Sequence, residues 1–202
     1  MKPRKPRTLT GRPRSFDLDK ALDAAMQVFW REGYEGASLS DLTKAMGINR
    51  PSLYAAFGDK ESLFRKALNR YDTGPGAYVR EALKQPTAHL VTREVLRRTA
   101  DLLTDPQHPA GCLMVQGALA CGEASDCIRQ ELVSRRLAGE AAIRRRFQRA
   151  KTEGDLPADS DAAELARYVV TISQGMAVQA AGGASRKELQ RVASMATRAW
   201  PP

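Results

Sequence analysis

An all-α fold is what this sequence predicts, and three observations predict it. Apolar residues recur at three- and four-residue spacing in one segment after another. No stretch alternates apolar and polar residues with the period of two that a half-buried strand needs. Glycine, proline and capping residues punctuate the periodic segments where helices start and stop. At 202 residues the chain is long enough for one or two domains with a real core.

Charge narrows the partner class. The formal net charge is +9 and the isoelectric point is near 9.8, which suggests a polyanionic partner. The excess is unevenly placed: residues 1–14 carry Lys2, Arg4, Lys5, Arg7, Arg12 and Arg14 and no acidic side chain. No apolar run approaches the roughly 20 residues that span a bilayer. The N-terminus has no apolar h-region of a secretory signal, so a cytoplasmic protein is expected. Three cysteines, Cys112, Cys121 and Cys127, fit a reducing compartment better than a disulfide framework.

Residues 1–15 predict a flexible basic arm, rich in proline. Gly11-Arg12-Pro13-Arg14 is the kind of extended basic segment that enters a narrow minor groove, which makes Arg12 and Arg14 candidate DNA contacts. A solvated tail is the plainer alternative. Asp17 can cap a first helix from about Leu18 to Arg31, with Leu18, Leu22, Ala25, Met26 and Phe29 on one apolar face. Gly33 ends it, and Tyr34 and Gly36 fall in the connection.

Residues 38–64, SLSDLTKAMGINRPSLYAAFGDKESLF, organise the rest. Ser38 with Asp41 is a capping-box variant. Leu39, Leu42 and Met46 make one face of a short helix, and Gly47 tolerates the left-handed stop after it. Ile48 can plug the space between helices, and Asn49 can cap the next. That second helix, Arg50 to Phe57, turns Leu53 and Phe57 inward and leaves Arg50, Pro51, Ser52, Tyr54 and Ala55 outward. A helix, a glycine turn and a helix with a small, polar outer face form a helix-turn-helix, whose second helix lies in a DNA major groove.

The run GINRPSLYAAFGDKESLF, residues 47–64, resembles the signature of the TetR family of bacterial transcriptional regulators. Gly47, the Leu53-Tyr54 pair, Phe57 and Lys60-Glu61 carry the resemblance. It extends back through FDLDKALDAAMQVFWREGYEGASL, residues 16–39, and so covers about the first third of the chain. The resemblance implies a ligand-responsive repressor that acts as a homodimer on a palindromic operator. It also implies that Tyr54 and Lys60 meet phosphates, that the helix starting at Lys60 links reading head to sensor, and that the last two helices pair with their copy.

The residues themselves divide into positioning and readout groups. Tyr54 has a hydroxyl that can reach a phosphate. Ser38 and Ser40 sit at a helix N-terminus, which attracts anions. Lys60, in the first turn of a helix, opposes the helix dipole unless a phosphate is nearby. Arg50 can bond guanine O6 and N7 together, or a phosphate instead. Ser52 and Ala55 allow close approach, and Pro51 costs no intrahelical bond and can touch a thymine methyl.

The third helix should run from Lys60 to Tyr71, with Asp72 to Gly76 as break, domain boundary and hinge, and a short helix from near Pro75 to Leu83. Thr87 caps a further helix, and Asp105 to Pro109 form a loop. Residues 112–121 read as a buried helix and Ser125 caps a long one to about Lys151. Asp159 or Ser160 caps a helix ending at Gly182-Gly183, and Ser185 with Glu188 forms a capping box for the last. The expected division is an arm at 1–15, a DNA-binding domain at 16–72 and an effector-binding and dimerisation domain at 73–202. The homodimer is expected through residues 160–198, which have more apolar surface than one packing face needs; the plainer alternative is that these helices only close the sensor core.

Gly111-Cys112 opens a predicted helix, and a helix N-terminus lowers a thiol pKa. Cys112 is therefore a candidate electrophile, redox or metal sensor, against the plainer reading of a small buried hydrophobe. Cys121 and Cys127 read as buried. No cofactor or metal site is predicted, since His89 and His108 are isolated. Two histidines, no phosphate-binding loop and no paired carboxylates argue against an enzyme. A sequence-neutral DNA architectural protein remains an alternative. A membrane-surface protein does not, because no basic amphipathic helix with bulky apolar anchors is present.

Overall fold

The computed structural model describes residues 16–119 and 125–200; among these residues the chain is helical, with no strand. The basic arm with Arg12 and Arg14, and Cys121, lie outside the described residues. The first helices are α1 (Leu18–Gly36), α2 (Leu39–Met46), α3 (Arg50–Phe57) and α4 (Lys60–Thr73). A 3-10 turn (Pro75–Ala77) leads into α5 (Tyr78–Ala82) and α6 (Ala88–Leu103). The remainder is α7 (Leu113–Leu119), α8 (Asp126–Thr152), α9 (Ala162–Ala181) and α10 (Arg186–Arg198).

The start signals act chemically as the sequence suggests. Asp17 accepts from the Asp19 and Lys20 amides at 2.9 and 3.2 Å. Thr87 accepts from the Leu90 amide at 3.2 Å. The Ser185–Glu188 capping box is closed in both directions. Each such cap satisfies an amide that the helix itself leaves orphaned, at a gain of about 1 kcal/mol.

Two expected caps differ. Asp161, rather than Asp159 or Ser160, caps α9 by accepting from Ala163 and Glu164 amides, because it is the residue with extended backbone immediately before the helix. Ser125 precedes α8 but makes no side-chain cap bond, its backbone being outside the extended region that aims a side chain at the first turn. The expected ends also shift slightly. α1 breaks geometry at Gly33 (φ 71°, ψ 179°), where the sequence places its end. α4 continues two residues past Tyr71, with the Thr73 hydroxyl donating to Asn69 O at 2.9 Å, and ends at Gly74. The segment after it is a 3-10 turn before the short α5, not one continuous helix.

Two apolar clusters form the interior. One joins Met26, Phe29 and Trp30 of α1 with Leu42, Leu53, Phe57, Phe64 and Leu68 of α2, α3 and α4. Phe64 meets Phe29 edge to face at 4.9 Å. Each fully buried Leu or Phe here adds roughly 1.5–3 kcal/mol of burial energy. The same cluster takes in Leu113 and Met114 of α7 and Ile128 and Leu132 of α8, so the reading head rests on two later helices. The second cluster packs α6, α8, α9 and α10 around Leu96, Phe147, Val169 and Leu189.

Candidate nucleic-acid interface and sensor cavity

Helix α3 is amphipathic at the scale of two turns. Leu53 and Phe57 are buried against α2 and α4, while Arg50, Pro51, Tyr54 and Ala55 are exposed and Ser52 is half-buried. Asn49 Oδ1 accepts from the Ser52 amide at 2.9 Å, which fixes where α3 begins. Tyr54 is 48 % exposed, unusual for a large aromatic without a partner to cover it. The tight turn between α2 and α3 depends on Gly47, at φ 65° and ψ 30°, followed by Ile48 N–H donating to Thr43 O at 3.1 Å.

The serines at the start of α2 differ from each other. Ser38 Oγ accepts from the Asp41 amide at 3.1 Å and donates to Asp41 Oδ2 at 2.5 Å. Its hydroxyl is engaged, and Asp41 places a carboxylate at the same helix end, which disfavours a phosphate there. Ser40 is exposed. Asp41 is a residue whose effect on the anion site the sequence reading missed, although its capping role was legible.

Lys60 lies in the first turn of α4, as the sequence suggests. It is half-buried, with Nζ 4.7 Å from the Tyr34 ring centroid. Burial lowers its pKa, and the nearby Glu35 carboxylate works in the opposite direction. Tyr34 thus acts as a platform that holds the ammonium at the first turn of α4. Lys66 Nζ donates to Phe57 O at 2.9 Å and so closes the C-terminal end of α3. Neither partnership had a sequence signal beyond the presence of the residues.

Helix α4 is clamped from both sides. Arg70 makes a two-pronged bond to Asp23 of α1 at 2.7 and 2.9 Å. Arg135 of α8 reaches Asp72 and Asn69 of α4, each at 2.7 Å. A third tie runs from α1 to the α6–α7 loop: buried Trp30 Nε1 donates to Gly111 O at 3.1 Å, and His108 stacks on the indole at 5.1 Å.

A cavity of about 140 Å³ lies among α4, α5, α6, α7, α8 and α9, mostly lined by apolar groups. Cys112 is on its wall. The cysteine precedes α7 rather than opening it, with its carbonyl accepting from the Val115 and Gln116 amides at 3.1 and 3.0 Å. Its Sγ lies 3.4 Å from Tyr71 Oη. Cys127, expected to be buried, is exposed and donates to Glu61 Oε2 at 3.5 Å; on α8 the next residue, Ile128, takes the inward direction. Among the described residues no group of three or more His, Cys, Asp or Glu side chains is placed to hold a metal. None of the described helices is long and apolar enough to cross a membrane.

Helices α9 and α10 leave Val178, Val192 and Met195 exposed, Val178 by 51 % and Met195 by 63 %. These side chains extend the apolar character of the helix pair beyond the face that packs on α6.

Comparison with known proteins identifies the lineage. The family model described as bacterial regulatory proteins, tetR family, matches residues 21–67, and the tetracyclin repressor-like C-terminal domain matches residues 92–196. The chain belongs to the TetR family. The HTH-type transcriptional repressor ComR of Escherichia coli (strain K12) is 35 % identical over 193 residues, covering 95 % of this chain and 92 % of that one. The HTH-type transcriptional repressor BdcR of the same organism is 31 % identical, covering 94 % and 91 %. Among solved structures, a cysteine mutant of the TetR family regulator CifR complexed with 26-bp double-strand operator DNA has 46 % identity and a TM-score of 0.91, covering 94 % of this chain and all of that one. This TetR-family chain is a DNA-binding transcriptional regulator, and its relatives are regulators rather than enzymes.

Proposed function

We propose that the protein is a homodimeric repressor that binds a palindromic operator through α3 and releases it when a small molecule fills the cavity beside α4. The supporting observation is the outer face of α3, small and basic around exposed Tyr54 and backed by fully buried Leu53. The CifR structure, 46 % identical, is a complex with operator DNA, and ComR and BdcR are repressors. In this reading Arg50 reads a base edge, Pro51, Ser52 and Ala55 permit the approach, and Tyr54, Lys60 and Ser40 hold phosphates. Ser38 joins them only by giving up its bond to Asp41. Arg12 and Arg14 reach the adjacent minor groove.

The division into an arm (1–15), a DNA-binding domain (16–72) and an effector and dimer domain (73–202) belongs to the same proposal. So does pairing through residues 160–198, for which exposed Val178, Val192 and Met195 supply apolar area. The dimer acts in the cytoplasm, where the DNA is. Release requires the effector to favour the conformation with the wrong head spacing, since equal affinity for both states shifts nothing. The Arg70–Asp23 and Arg135–Asp72 ties make α4 the element that carries the change.

A second reading has one specific observation in its favour. Cys112 Sγ lies on the cavity wall 3.4 Å from buried Tyr71 Oη, so modifying the thiol would disturb α4 directly. Operator binding measured before and after iodoacetamide, with wild type and Cys112→Ser, separates the two. Release in wild type alone supports thiol sensing. Release by a non-reactive molecule in both proteins supports the cavity-effector reading.

A further inference from the structure

The cavity beside α4 has a size and a polarity that specify a ligand class. This step rests on the reading of that cavity as the effector site. Its volume of about 140 Å³ is close to the roughly 150 Å³ of an engineered apolar cavity that holds benzene. A ligand that fills that volume has on the order of six to ten non-hydrogen atoms.

The hydroxyls of the α4–α5–α6 end are already satisfied by protein. Tyr78 Oη and Thr99 Oγ1 are 2.9 Å apart, and Thr99 donates to Val95 O at 2.8 Å. Tyr71 Oη pairs with Cys112 Sγ. Burial raises the pKa of both phenols, so they remain neutral across the physiological range. With Val95, Leu102 and Ile143 beside them, this end suits an apolar body.

The α8 and α9 walls bring polar groups. Four polar side chains of these helices line the cavity: Arg136, Glu140, Ser173 and Gln174. Glu140 is engaged by Arg167, whose Nη2 and Nε donate at 3.0 and 3.3 Å. Ser173 Oγ donates to Val169 O at 2.9 Å. Arg136 and Gln174 make no hydrogen bond or ion pair among the described residues. One guanidinium and one amide are therefore left to meet a ligand, while the Glu140 carboxylate is shared with Arg167 through Oε1. A guanidinium fork matches a carboxylate in charge and geometry, and the amide N–H can serve a remaining lone pair.

We propose that the cavity binds a small apolar monocarboxylate, with its carboxylate on Arg136 and Gln174 and its hydrocarbon body between Tyr71, Tyr78 and Ile143. A long-chain acid is too large for the volume. A cationic ligand meets the wrong sign, and a neutral isostere leaves the arginine unmatched.

The test is calorimetric titration of the full-length protein with benzoate and hexanoate, their neutral amides benzamide and hexanamide, and dodecanoate. Wild type, Arg136→Gln and Val170→Phe are compared after melting curves establish folding. Operator binding by the ligand-free protein is measured in parallel. Benzoate or hexanoate is expected to bind saturably, at least tenfold more tightly than its amide and than dodecanoate. Arg136→Gln is expected to remove that preference, and Val170→Phe to weaken acid and amide alike by filling the space. Equal binding of acid and amide, tighter dodecanoate, an unchanged Arg136→Gln protein, or no binding by any probe would each overturn the proposal. Failure of the ligand-free protein to bind any operator would instead count against the repressor reading, because the titration does not depend on DNA.

Discussion

Gly47→Ala is expected to destabilise the protein by about 1 kcal/mol, through backbone strain alone. Gly47 sits at φ 65° and ψ 30°, and a Cβ built there meets nothing within 4 Å. There is no clash to relieve, so the cost is that of a left-handed non-glycine residue, about 1–2 kcal/mol. Alanine also restricts the unfolded chain, which offsets roughly 0.4–1 kcal/mol. Gly47→Asn should cost less, since asparagine tolerates this region better. Gly58 gives the contrast. At φ 81° and ψ −142° its Cβ would lie 3.2 Å from Ser62 Cβ, so Gly58→Ala adds crowding to strain of about 1–3 kcal/mol. Urea unfolding at one fixed protomer concentration reads all three, provided the denaturant slope is unchanged. The expected order of cost is Gly58→Ala, then Gly47→Ala, then Gly47→Asn. A Gly47→Ala cost above about 3 kcal/mol, or one equal to that of Gly58→Ala, would refute the reasoning, because an open left-handed turn cannot exact it.

The reading head makes separable predictions. Tyr54→Phe and Lys60→Ala should weaken binding to every sequence alike, whereas Arg50→Ala should also relax preference at one base pair by about 1–3 kcal/mol, read by anisotropy over an operator-variant panel. Val178→Asp with Met195→Glu should convert the dimer to monomer in sedimentation; an unchanged dimer would move the interface elsewhere. Trp30→Phe removes the donor to Gly111 O and leaves a buried carbonyl unpaired, at about 1–3 kcal/mol in urea unfolding. Hydrogen bonds and charge from Arg97 and Arg98 hold the Glu94 carboxyl at about 2, against an ordinary 4.5. Its stabilising contribution is therefore complete above about 4.5 and is lost as pH falls toward 2; Glu94→Gln should flatten that part of the acid-unfolding curve.

Local chemistry was legible in the chain because caps and stripes are written in neighbouring residues. Asp17, Ser38, Gly47, Asn49, Thr87 and Ser185 each act within three or four positions of themselves, and the helices they bound are found where expected. What escaped was tertiary. Lys60 over Tyr34 joins residues from two helices, and Arg70–Asp23 spans 47 positions. Nothing local foretells either pairing. Cysteine is so often buried that the sequence points Cys127 inward, while one step along α8 decides which side chain faces the core. Cys112 was placed one residue too far into its helix, yet the cavity beside it has no sequence signature at all. Its lining comes from six helices between Tyr71 and Gln174.

The most direct test of the central claim is fluorescence anisotropy with the intergenic DNA beside this protein's own gene, challenged with random duplex at two salt concentrations. Tight binding that survives the competitor, with two protomers per palindromic site, is the expected result. Binding that is equal for random DNA and lost with modest salt would contradict that claim and favour a sequence-neutral architectural role.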